Sequence, residues 1–92
     1  MIKSIKHKGI KRLYERGDKS RLPADRVEKI TLMLTALDAA ATLDPMDRPA
    51  WRLHALKGDL QGFYAIDVSG NYRLIFRFED GDAFDLDLVD YH

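Results

Sequence analysis

The sequence contains no cysteine, only three prolines, and no apolar run approaching the roughly 18 residues that a membrane-spanning helix needs. Without cysteine there is no disulfide framework and no thiolate metal site, and a reducing cytoplasm suits such a chain. The three histidines, His7, His54 and His92, are too scattered to form a ligand motif, so neither a metal nor a cofactor is expected. Met1–Lys8 is charged but has no apolar segment behind it, which argues against an export signal. Repeats, low-complexity tracts and linkers are also missing. Ninety-two residues, 46% of them hydrophobic, then read as one domain, 1–92, with a single modest core.

Net charge is zero, yet it is unevenly spread. Residues 1–30 hold ten Lys/Arg against four acids, and the rest of the chain carries the compensating negative charge. A basic block of this kind attracts phosphate backbones through a salt-sensitive field. The structural alternative is a solvated helix face balanced by acids of the sheet.

Phe63–His92 organises the chain. Tyr72, Leu74, Phe76 and Phe78 alternate with Arg73, Ile75, Arg77 and Glu79, the period of a half-buried strand. Gly70-Asn71 and Asp80-Gly81 supply turn residues on either side. An antiparallel meander of Phe63–Ser69, Tyr72–Glu79 and Ala83–Tyr91 is expected. In its last strand Phe84, Leu86 and Leu88 should continue the apolar face, leaving Asp85 and Asp87 with Arg73 and Arg77 on the other.

Upstream, Ile2–His7 alternates as a short strand, and Ile10, Leu13 and Tyr14 mark a helix over Lys8–Arg16 that Gly17 ends. Gly9 reads as punctuation. Pro23 opens a second helix whose stripe of Val27, Ile30, Leu34 and Leu37 runs to about Ala41, before Pro45 and Pro49 forbid its continuation. Trp51–Leu56 reads as a strand with Trp51 and Leu53 on one face and Arg52 and His54 on the other. The fold class is therefore α+β: two N-terminal helices covering one face of a mostly antiparallel sheet, the other face free to bind.

Four groups offer chemistry: His54, Lys57, Arg73 and the closing Asp90-Tyr91-His92. Singly, each has a structural reading, as a half-buried strand histidine, a solvated loop lysine, a paired arginine and a fraying end. Together they match what in-line cleavage of RNA requires. A base must take the 2′-hydroxyl proton, an acid must protonate the departing 5′-oxygen, and cations must offset charge on the phosphate. Histidine titrates near neutrality and can serve either proton role. Lysine and arginine can stabilise the non-bridging oxygens without a metal. Parity is a difficulty, because a regular last strand sends Tyr91 to the Arg73 face and Asp90 and His92 to the core side. A common cleft thus requires that strand to end or twist near Val89.

These residues carry a resemblance over essentially the whole chain. Ile2-Lys3-Ser4 with His7-Lys8-Gly9, Leu37-Asp38-Ala39-Ala40, Trp51–Asp59, Val68–Leu74 and Asp90-Tyr91-His92 together resemble the HigB toxins of type II toxin–antitoxin systems, a branch of the RelE/ParE superfamily also described as plasmid maintenance killer proteins. The resemblance implies a RelE-like fold and a ribosome-dependent endoribonuclease that cuts translated messenger RNA in the decoding site. It implies catalytic roles for His54, Asp90, Tyr91 and His92, with base and acid unassigned, and phosphate binding by Lys57 and Arg73. The implied partners are a HigA-type helix-turn-helix antitoxin, through which alone operator DNA is touched, and the 70S ribosome with its message. Lys8, Lys11 and Arg12 would dock on ribosomal RNA in the cytoplasm, away from any membrane. The rival from another class is a ParE-like protein that inhibits DNA gyrase by binding. An inactive, RNA-binding relative is a third possibility.

Overall fold

A computed structural model describes residues 1–90; Tyr91 and His92 lie outside the described residues. Helix α1, Lys8–Arg16, begins where the His7 Nδ1 accepts the Ile10 N–H at 3.2 Å, and it ends at Gly17, whose φ of 68° lets its N–H turn back to the Arg12 and Leu13 carbonyls. Gly9 proves to be part of this helix rather than punctuation before it. A Cβ there would lie 3.0 Å from the Arg21 carbonyl oxygen, so the glycine admits the connection that crosses α1.

That connection reaches Pro23 and a 3₁₀ turn, Ala24–Arg26, which leads into helix α2, Val27–Ala39. Ile30, Met33, Leu34 and Leu37 of α2 are buried against Ile10 and Leu22, as the three- and four-residue spacing requires. The helix stops two residues short of the expected Ala41, where Ala40 turns extended.

The sheet has the order β1-β2-β3-β4, antiparallel throughout, with β1 at His54–Ala55, β2 at Phe63–Asp67, β3 at Tyr72–Glu79 and β4 at Asp82–Asp90. Leu74 and Phe76 of β3, Ile66 of β2 and Leu86 of β4 join the helical residues in one core. The opposite face is not bare. Ala65 and Ile75 point to that side by parity, yet both are buried and form a floor between polar rims.

Three details of the sheet depart from strand periodicity. Asp85 has a φ of 55° and forms a bulge, so the ladder slips between Ile75 and Arg77. Beyond that slip Phe84 lies opposite Arg77, with the guanidinium 5.6 Å from its ring centroid, and Ala83 takes the core position expected for Phe84. Arg77 binds Asp85 and Glu79 at 3.0 Å each, and Arg73 lies 3.7 Å from Asp67. The hairpin at Gly70-Asn71 is not a two-residue turn of positive φ. Ser69 Oγ accepts the N–H groups of Asn71 and Tyr72, and the side chain thereby fixes a three-residue loop. Asp80-Gly81 does take positive φ at both residues.

The N-terminal strand is reduced to two isolated parallel bridges on the β4 edge, Ile2 to Ala83 and Ile5 to Leu86. Between them the Asp85 N–H bonds to Ser4 Oγ at 2.8 Å, a side chain standing where a continuous ladder would need backbone. Asp38, at the end of α2, clamps this segment to the helices: its Oδ1 accepts the Ile2 N–H at 2.9 Å and the Tyr14 hydroxyl at 2.8 Å. The Ile2 bond first, then the Tyr14 bond, hold the Asp38 carboxyl below its usual range, while the Asp38 bond raises Tyr14. A carboxylate whose pKa is lower when folded contributes stability above its unfolded value, and that contribution is lost as pH falls through the folded value. Asp38→Asn keeps the acceptor oxygen and removes the charge. Its melting temperature is expected to be lower at pH 7, by the equivalent of about 1 kcal/mol. The gap to the native protein should close below about pH 4, and thermal melts from pH 2 to 7 on both proteins check it.

Candidate functional site

The site is built where the Arg48–Arg52 turn meets β2. The Trp51 and Arg52 N–H groups both reach back to the Arg48 carbonyl, at 2.9 and 3.2 Å, and the turn ends with Arg52 at a φ of 52°. Trp51 anchors it: the indole is buried in the core, Arg48 stacks 4.4 Å above it, and the Trp51 carbonyl accepts the Asp67 N–H at 2.7 Å. A left-handed arginine costs about 1 to 2 kcal/mol. It also shortens the expected strand Trp51–Leu56 to the two residues of β1.

The same turn orients His54. Its Nδ1 lies 2.7 Å from the Arg52 carbonyl oxygen, which can only accept, so Nδ1 carries a proton, and in the neutral ring Nε2 holds the lone pair. His54 pairs with Ala65, and the register carries its row on through Ile75 to Asp87, across the face turned away from the helices. A groove of about 640 Å³ opens on this face between His54, Arg52, Leu53, Asp67, Gly70 and Arg73. Two of the expected site residues, His54 and Arg73, are thus brought together.

Lys57 is not in that groove. It lines another of about 500 Å³ with Phe63 and Tyr64, at the Ala55 end of β1. Asp90 is exposed at the end of β4, opposite Tyr72 and one residue beyond Val89, the partner of Arg73. Pairing continues through Asp90, the last described residue, which keeps the parity of Tyr72; the residues that the expected ending or twist would redirect, Tyr91 and His92, lie outside the described ones. Tyr91 and His92, expected in the same cleft, fall outside the described residues. Lys8, Lys11 and Arg12 lie on α1 in the helical layer, where Arg12 meets Asp18 at 3.7 Å.

Sequence reasoning missed Arg52 and Asp67. Asp67 Oδ2 lies 3.6 Å from Arg52 Nε, and its Oδ1 3.7 Å from Arg73 Nε. Hairpin parity held the signal, because residues 67 and 73 face each other across the turn at 69–71.

The model of the HigB-like toxin family, RelE-like toxins of type II toxin–antitoxin systems, matches residues 3–92. Among curated relatives, the Endoribonuclease HigB of Proteus vulgaris is 46% identical over 92 residues, covering 100% of both chains. Toxin HigB-1 of Vibrio cholerae is 36% identical over 85 residues, 90% of each. The structure superposes on a chain of the YoeB–YefM complex from Staphylococcus aureus with a TM-score of 0.63, covering 100% of this chain and 95% of that one. At 19% identity that likeness speaks for the fold. No helix among the described residues is long and apolar enough to cross a membrane.

Proposed function

This chain belongs to the HigB-like family of RelE-like toxins of type II toxin–antitoxin systems, and from that premise we propose that it is an endoribonuclease cutting translated messenger RNA in the ribosomal A site. The observation that carries the reading is His54, held in one tautomer by the Arg52 carbonyl beside the guanidinium of Arg73. A proton-transfer group and a cation on one groove are what a phosphodiester cleavage needs.

The chemistry follows from those parts. A base takes the proton of the 2′-hydroxyl, and the oxygen attacks the adjacent phosphorus. The bond to the 5′-oxygen breaks, and an acid protonates that leaving oxygen. The products are a 2′,3′-cyclic phosphate and a 5′-hydroxyl. His54, with Nε2 as its accepting nitrogen, serves as one proton-transfer group, and Asp90, Tyr91 and His92 supply the others. Arg73 and Lys57 offset charge on the phosphate, Lys57 from its own groove, so that no metal is called on.

The protein works as one unit in the cytoplasm. Its antitoxin is of the helix-turn-helix HigA type, and that partner alone brings it to operator DNA. Inducing the toxin and following messages and DNA separates this reading from gyrase inhibition: messages cut within translated frames support it, and arrested gyrase–DNA complexes with intact messages refute it.

Docking on ribosomal RNA falls to the cations of α1. Lys8 and Lys11 are exposed, whereas Arg12 is already engaged by Asp18. Replacing all three with alanine is expected to weaken ribosome binding and to lower the slope of log affinity against log salt by about 2 rather than 3. An unchanged slope in equilibrium binding across salt concentrations would assign docking to another surface.

A further inference from the structure

We propose that the groove at the Ala55 end of β1 takes a nucleobase of the bound RNA, stacked on the ring of Phe63; the proposal rests on the endoribonuclease reading above. Two aromatic residues, Phe63 and Phe84, lie in one row across the sheet, since both pair with Arg77. Both are half-buried, and among the described residues neither joins the hydrophobic core cluster or the side chains packed against it. Such rings keep aromatic surface that the core does not use.

The two rings differ in the cation that stands over them. Over Phe84 it is the Arg77 guanidinium, 5.6 Å from the centroid and fixed by Asp85 and Glu79 at 3.0 Å each. Over Phe63 it is Lys6, an exposed residue that reaches in from the β4 edge and places its Nζ 5.9 Å from the centroid. An exposed contact of this kind is weak. The lysine can therefore yield the ring to a flat, uncharged base and turn to the phosphate beside it.

Register sets Phe63 close to the chemistry. His54 pairs with Ala65, and the ladder continues to Leu56, whose N–H donates to the Phe63 carbonyl at 2.9 Å. Phe63 thus shares the face of His54 as its diagonal neighbour, about 7 to 8 Å away, a distance that one nucleotide spans. Phe63 also lines the groove of about 500 Å³ with Lys57 and Gln61, a volume typical of small-ligand sites. Lys57 holds a phosphate under the proposed function, so one nucleotide finds a stacking ring and a cation together. The rim turns at Gly58 and Gly62, both at positive φ, where an added Cβ would meet nothing within 4 Å.

The test is single-turnover cleavage on programmed ribosomes at limiting toxin, with a thermal melt of each variant. The substrates are the intact message and messages carrying one abasic nucleotide at each codon position in turn. Phe63→Leu should melt close to the native protein and cut the intact message about tenfold more slowly, the scale of one base–aromatic stack. Phe63→Trp should cut it at about the native rate. At one codon position the abasic message should cost the native toxin the same factor, and there Phe63→Leu should be no worse than native, because the base it fails to stack is gone. Phe63→Leu within about twofold of native on the intact message overturns the stack alone. So does a tenfold deficit that persists on every abasic message, which would make Phe63 a ribosome contact or a structural support. A native toxin indifferent to every abasic position overturns it as well, without any variant having to fold. If the native protein cuts no message on ribosomes, the endoribonuclease reading itself fails and takes the stack with it.

Discussion

His54→Ala is expected to lower the single-turnover rate of message cleavage on ribosomes by about 10²- to 10⁴-fold, the range over which one positioned acid or base contributes. The ring sits at the groove, and its Nδ1 is committed to the Arg52 carbonyl, so Nε2 is the nitrogen left for proton exchange with substrate. Deleting the ring removes that exchange and one short hydrogen bond. The bond is near the surface, and its loss should cost about 1 kcal/mol of stability, too little to unfold a domain of ordinary stability. Ribosome affinity should stay within a few-fold, because the missing interaction is made in the chemical step. Melting temperature, ribosome binding and cleavage rate on the same preparation separate the cases. A rate within a few-fold of native removes His54 from the acid–base chemistry. A joint collapse of melting temperature and rate makes it structural.

The second large effect is expected at His92. If an imidazole there exchanges a proton in the transition state, His92→Gln removes the exchange while keeping a polar side chain that can hydrogen-bond. The rate should fall by about 10²-fold or more. The double variant with His54→Ala discriminates further. Two groups serving one transition state act as a unit, so the combined loss should fall well short of the product of the single losses. If His92→Gln cleaves within a few-fold of native, His54 with Asp90 becomes the better acid–base pair.

How far these sites could be read from sequence differs by element. The meander was legible because Tyr72–Glu79 alternates strictly, and α2 because Val27, Ile30, Leu34 and Leu37 repeat at helical spacing. The Asp85 bulge was not, since Ala83 and Phe84 are both apolar and either could take the core position until the register is known. The left-handed turn at Arg52 was hidden for a similar reason: arginine gives no local sign of positive φ, and the strand that its neighbours suggested shrank to two residues. Of the site, His54 and Arg73 could be named from their chemistry, and they share a groove. Arg52 and Asp67 could not, because a turn arginine and a strand-end aspartate read as solvated charge. Only the register brings Asp67 opposite Arg73.

The most direct measurement of the central claim compares cleavage of one message by purified protein in two states, free and threaded through programmed ribosomes. Among the described residues the groove offers few proton-transfer groups, and the basic first third of the chain offers a docking surface, so positioning by the ribosome has to supply much of the rate. The account predicts cuts in the reading frame at the ribosomal A site, ending in cyclic phosphate, and poor cleavage of the free message. Equally fast, codon-patterned cleavage of the naked message, or intact message on the ribosome, would contradict it.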